Sequence, residues 1–323
     1  MPGFRKVAVS RLLAFAATLL SATVCNADGL TPDAWLQRMA AAVQSVNYEG
    51  TVVRVQSGKT EALKVARDVS DGVVREKIVA QEGNGLEIIR IGSEVHCILP
   101  DRKSVLVEEW NDQSTLFSAL PSSQIRFGNE YDLSVVREGR VAGRDAVLLA
   151  IRSHDHYRYG QRIWLDTETA FPLHTQLIAD DGSAIEQVKF ADIALNQEIH
   201  ASSLAPSYST EDFRWFNRPS RHRNKAVDTE WNCENLPQGF RAVSAHEEKM
   251  SESDELVTHI LYSDGLANVS VFIAVLDDDD SRGPSQMGAS SSFSAIVGDH
   301  HITAVGEVPP VTVEQIAASM RRR

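Results

Sequence analysis

The chain has 323 residues, with 32 basic and 44 acidic side chains and a formal net charge of −12. That acidic surplus argues against nonspecific nucleic-acid binding, which depends on Lys and Arg neutralising phosphates. A hydrophobic fraction of 43% is ordinary for a globular protein and supports a real core.

The first 27 residues read as a secretory signal peptide. Arg5, Lys6 and Arg11 give a positive start, Leu12 to Leu20 a short apolar run, and Cys25-Asn26-Ala27 the small residues for cleavage after Ala27. The apolar run is too short to remain as a spanning helix in a core of about 30 Å. A lipoprotein reading centred on Cys25 is weaker, because Val24 is bulky where such signals prefer a small residue. Cleavage removes three basic residues and no acidic one, so the mature charge moves from −12 to about −15. No later stretch approaches about 18 apolar residues, so none is expected to span a membrane. Cys97 and Cys233 then remain. An oxidising compartment permits a disulfide between them, but two unpaired, partly buried thiols are the adopted reading. With no paired histidines nearby they make no zinc site.

Thr31-Pro32-Asp33 opens a helix, with threonine as cap and proline in the first turn. Trp35, Leu36, Met39, Ala40 and Val43 follow at helical spacing as one packing stripe. After Asn47 the period changes to two. Thr51 to Val55, Leu86 to Ile91, Val95 to Leu99, Ser104 to Val107 and Leu133 to Val136 read as short strands. So do Val147 to Arg152, Gln161 to Asp166, Leu173 to Ile178 and Ile185 to Phe190, with turns at Asp71-Gly72, Pro100-Asp101 and Asp180-Asp181-Gly182. Short antiparallel strands at near-regular spacing predict a meandering sheet or barrel, with the leading helix on its concave face. Residues 213–229 are basic, polar and proline-interrupted, and read as an interdomain linker. A second unit, residues 230–320, offers strands at Phe240 to Val243, Leu256 to Tyr262, Asn268 to Leu276 and around Ile302 to Val305. A polar loop is expected over Asp277 to Ser292 and a helix over Thr312 to Met320. No internal repeat is visible.

No nucleophile elbow, phosphate loop, zinc-protease motif or dinucleotide fingerprint occurs, so no enzyme and no cofactor is expected. His154-Asp155-His156 and Asp299-His300-His301 read as hairpin residues rather than metal ligands, and Asp277 to Asp280 as a solvated loop without the spacing of a calcium site. Two features suggest binding. One is Arg152 to Arg162, where basic and aromatic residues alternate. The other is the linker with Arg218, Arg221 and Arg223. For each, a solvated hairpin or a solubilising linker is the plain alternative.

Several segments together resemble the RseB/MucB family of periplasmic regulators of an envelope-stress sigma factor. They are Asn47-Tyr48-Glu49-Gly50-Thr51, His154 to Asp166, Trp231 with Leu236 to Phe240, His259 to Ile273 and Val305-Gly306-Glu307-Val308-Pro309-Pro310. The likeness spans nearly the whole mature chain in the right order. It implies an α+β fold: a large LolA/LolB-like unclosed antiparallel β-barrel with packed helices (28–212), the linker, and a smaller α+β C-terminal domain. It also implies a periplasmic protein that binds the periplasmic segment of a RseA/MucA-type anti-sigma factor and shields it from the site-1 protease. Lipopolysaccharide or a related lipid would release that partner, and self-association as a homodimer is common in such proteins. On this view lipid phosphates lie near Arg158 and Arg162, with Tyr157 and Tyr159 at the cavity rim, and the linker arginines Arg218, Arg221 and Arg223 meet the partner. A lipid or lipoprotein carrier is the competing reading, and an envelope hydrolase a third.

Overall fold

The computed structural model describes residues 29–110, 115–117, 120–121, 127–217, 229–249, 256–276 and 282–323. Helix α1, Pro32–Ser45, starts where Thr31 accepts a hydrogen bond from the Ala34 amide at 3.2 Å, and it buries Trp35, Leu36, Met39, Ala40, Ala42 and Val43. Strands follow: β1 Tyr48–Gln56, β2 Lys59–Asp68, β3 Arg75–Ala80, β4 Glu87–Ile91, β5 Glu94–Leu99 and β6 Ser104–Glu109. Next come β7 Tyr131–Val141, β8 Arg144–Ser153, β9 Gly160–Asp166, β10 Pro172–Ile178, β11 Ala184–Leu195, the short α2 Ala201–Leu204 and β12 Arg214–Asn217. These twelve strands form one sheet in the order β12-β6-β5-β4-β3-β2-β1-β11-β10-β9-β8-β7. The end strands β12 and β7 do not pair with each other, so the sheet curls without closing, as expected. Tyr48, Leu149, Ile151, Ile163, Leu165, Phe171, Leu173 and Phe190 line its concave face, and Met39 of α1 packs among them.

Strands β2 and β3 escape the sequence reading because their charged and small residues (Lys59-Thr60-Glu61-Ala62 above all) carry weak strand propensity. Topology supplies what propensity does not. Ser57 and Gly58 both adopt positive φ, 51° and 75°, the turn that suits a tight hairpin, and so fold β2 back on β1. Strand β12 corrects the expected linker: Arg214–Asn217, its first part, pairs in parallel with β6.

The second sheet contains β14 Arg241–Lys249, β15 Leu256–Ser263, β16 Asn268–Val275, β17 Gly283–Met287, β18 Ser290–Val297 and β19 His300–Gly306, while β13 Trp231–Cys233 pairs separately with β20 Met320–Arg322. Helix α3, Pro310–Ala318, lays Val313, Ile316 and Ala317 on Ile260, Val269, Val271, Ile302 and Ala304. The expected loop over Asp277 to Ser292 in fact contains β17 and the start of β18, joined through Gly288 at φ 62°. Serine-rich, weakly apolar strands of this kind form because β19 is already there to pair with β18. The helix expected over Thr312 to Met320 starts two residues earlier and stops at Ala318, so Met320 is a strand residue in the core. Cys97 lies on β5 and Cys233 is buried in the second region, and they are not bonded to each other. Thr31–Arg323 forms one compact unit that includes both sheets.

Candidate functional site

The concave face of the large sheet is incompletely filled. A cavity of about 260 Å³ lies over β1, β2, β3, β4 and β11, walled by Leu63, Ile78, Ala80, Leu86, Ile88 and Val188, with Trp110 and Leu116 across it. The Arg54–Glu61 ion pair, 2.6 Å apart and about half exposed, also borders it. At Leu116 and Val188 it meets a smaller cavity of about 100 Å³, which extends past Phe117, Leu120 and Leu177 to Glu186 and Glu307. These apolar side chains suit an alkyl chain, and Arg54, Glu61, Glu82, Asn84 and Thr115 supply the polar part of the lining. A larger cavity of about 770 Å³ lies against the outer face, beside Ser203 and Ser207, but Glu49, Lys64, Lys77 and Asp192 give it charged walls unsuited to one.

The floor carries one buried ionic group. Glu76 is 1% exposed; it accepts from the Tyr48 hydroxyl at 2.7 Å and the Thr115 amide at 3.0 Å, and the equally buried Arg67 guanidinium lies 3.8 Å away. An uncompensated charge there would be costly, so these contacts tie the segment at Thr115 to the sheet.

The second sheet closes one end of the concavity. Ala289 donates its amide to Glu186 at 3.3 Å, and Glu307 reaches the smaller cavity. Burial raises the Glu307 carboxyl above the usual carboxylate range, and the Glu186 charge raises it further. Nearby, Arg158 is fully buried. Its guanidinium donates to Asp155 at 3.1 Å, to Asp264 at 2.7 Å and to the Gln238 carbonyl at 2.6 Å, and it lies over the rings of Phe240 and Tyr131. Tyr131 also donates to Asp264, at 2.8 Å; burial, then that carboxylate, pushes its hydroxyl up. Asp264 is fixed further by the Leu266 and Ala267 amides at 2.8 and 2.7 Å, while Leu266 packs against the large core. The turn between β15 and β16 is thus plugged into the large-sheet region with one arginine as its pin.

The residues anticipated as a lipid rim are therefore separated. Arg158 lies in this junction, not at a rim. Tyr157 accepts at its carbonyl from Thr312 of α3 at 2.6 Å, and Tyr159 is buried at 8% exposure, close enough to Ser291 to share a hydrogen bond. Arg162 is exposed on the outer face, where with Arg152, Gly160 and Ile178 it borders a cleft of about 270 Å³. Alternation along β9 sends Ile163 and Leu165 into the core and Arg162 away from it. Arg218, Arg221 and Arg223 lie outside the described residues. His154 pairs with Asp132 at 2.7 Å and the His156 ring packs on Tyr157 at a tilt of 36°, so the two histidines do not converge. Sequence reasoning missed Asp264, Tyr131, Glu76 and Glu307; the Ser263-Asp264-Gly265 turn was the one visible signal, since such an Asp commonly binds amides two and three residues on.

Comparison with known proteins gives this architecture its relatives. Residues 31–208 match the MucB/RseB N-terminal domain and residues 225–321 the MucB/RseB C-terminal domain. The sigma factor AlgU regulatory protein MucB of Pseudomonas aeruginosa is 30% identical over 295 residues, 89% of this chain and 90% of that protein. The sigma-E factor regulatory protein RseB of Escherichia coli is 26% identical over 296 residues, again 89% and 90%. Among solved structures, the MucA/MucB complex of Pseudomonas aeruginosa superposes with a TM-score of 0.70 at 28% identity, covering 90% of this chain and 99% of that one. With both halves matched in order and the fold shared, the chain belongs to the MucB/RseB family.

Proposed function

We propose that this chain is a periplasmic regulator. It binds the periplasmic segment of a RseA/MucA-type anti-sigma factor, shields that segment from site-1 proteolysis, and releases it when lipopolysaccharide or a related lipid is taken up. The observation that carries the reading is the apolar concavity closed at one end by a second sheet. A lipid chain entering at Leu63, Ile78 and Ile88 approaches Leu116, Phe117 and Glu307, where the two sheets meet. Lipid and partner would then be negatively coupled ligands, because each favours a different arrangement at that junction. Relatives captured in a MucA/MucB complex support the partner class. Arg162, on the outer face beside the equally exposed Arg152, remains available to an anionic group, and the linker arginines remain candidates for the partner.

The test is calorimetric titration of the mature chain with the periplasmic segment of its own organism's MucA-type protein, with and without lipopolysaccharide. Binding that lipid weakens supports the regulator. Lipid uptake with no peptide binding in either condition would instead favour a carrier, which the concave cavity alone also fits. A homodimer is part of the proposal, and sedimentation of the same sample reads it.

A further inference from the structure

Strand β12 is an anomaly in the large sheet. All its neighbours run antiparallel, yet Arg214–Asn217 lies parallel to β6, in the register Arg214↔Ser104 to Asn217↔Val107. Among the described residues it is the sheet's edge, and all four of its residues are exposed. The Arg214 amide donates inward to the Lys103 carbonyl at 2.9 Å. In an extended strand the N–H and C=O of one residue point the same way and alternate from residue to residue. Phe216 therefore also faces β6, while the backbone groups of Trp215 and Asn217 point away from the sheet. The side chains alternate too. Trp215 lies on the outer face, edge-on to His96 at 5.3 Å, and Phe216 lies in the row of Leu106, Cys97 and Ile88 on the concave face. Each aromatic is 50% exposed.

Natural sheets protect an outer edge with lysines, prolines, bulges or covering loops, because a bare one templates strand addition. Here the edge carries an exposed aromatic on either face. We propose that the outer edge of β12 is a strand-addition site for an extended polypeptide segment of a partner, with apolar side chains at alternate positions and acidic residues flanking them. Charge selects that occupant. Arg214 opens the strand, and the sequence beyond it continues with Arg218, Arg221, Arg223 and Lys225 in a chain whose net charge is −12. A second copy would bring the same basic sequence against itself, and like charges facing each other across a strand pair are destabilising. An acidic segment meets no such penalty. The inference rests on the proposed partner binding and specifies its mode.

The experiment uses the full mature chain and the anti-sigma periplasmic segment above. Asn217→Pro removes an outward N–H while leaving the inward bonds to β6, and Asn217→Ala keeps that N–H as the control. Asn217→Pro is expected to weaken binding by about tenfold, the order of one lost hydrogen bond plus a poorer fit, with Asn217→Ala near wild type. Amide exchange at Trp215 and Asn217 slows on binding. Wild-type binding with Asn217→Pro unchanged and no added protection at those amides overturns strand addition while leaving the regulator intact. Absence of wild-type binding overturns the regulator itself. If the partner-free chain dimerises and Asn217→Pro makes it monomeric, the edge belongs to a second copy and the proposal fails.

Discussion

The two sheets solve the same packing problem in opposite ways. The six-stranded sheet fills its inner face with α3, so Ile260, Val271, Ile302, Ala304, Val313 and Ile316 are essentially inaccessible. The twelve-stranded sheet has a wider curve than α1 can cover and leaves cavities along Ile78, Ile88 and Val188. A filled face gives a rigid platform, whereas an unfilled one has room for a ligand. The junction between them uses neither solution: it relies on a buried guanidinium between two carboxylates and a carbonyl.

That contrast can be broken at the junction first. Arg158→Ala strips the partner from Asp264, which is 2% exposed, and is expected to cost about 3–5 kcal/mol in urea unfolding of the full chain. Arg162→Ala, four residues on but exposed, should leave the midpoint unchanged. Equal effects would mean that Arg158 does not pin the plug. A smaller effect separates the two faces. Ala304→Leu overpacks the filled sheet and should destabilise by about 1–3 kcal/mol. Ala80→Leu points into existing space, should leave stability near wild type, and should reduce uptake of a fluorescent fatty acid. Comparable destabilisation by both would show that the concavity is not open volume.

The gentlest test is pH. Glu307 holds its proton more firmly in the folded chain than a carboxyl of ordinary value 4.5, through burial and then the charge of Glu186. Its contribution is fully present below that value and is lost as pH rises through the raised folded value. Glu307→Gln, which mimics the protonated group, should match wild type in acid and become the more stable chain toward neutral pH. Parallel stability curves for the two would remove Glu307 from the junction.

Much of the architecture is legible along the chain. The Thr31 cap and the Trp35, Leu36, Met39 and Val43 stripe define α1 from local bonding and spacing. Short apolar runs of strand length mark β8 and β9, where Ala146 to Ile151 and Ile163 to Asp166 are buried in succession. Strands such as β2 and β17 are hidden, since their residues have little intrinsic preference and take their form from neighbours. The site is less legible than the fold. A run of arginines and tyrosines from Arg152 to Arg162 looks uniform as text, yet Arg158 is buried in a pin and Arg162 meets solvent.

The sequence by itself determined the period of each well-patterned element, the change of character near residue 213 and membership in a family whose two halves follow in order. Local bonding and spacing suffice for these. Only the tertiary structure decided that Arg158 would meet Asp264, 106 residues away, and that part of a basic linker would become a sheet edge beside Ser104 to Val107. Both depend on partners distant along the chain. Burial and pairing there are settled by how the sheet curls and where the second sheet docks, not by the residues immediately around them.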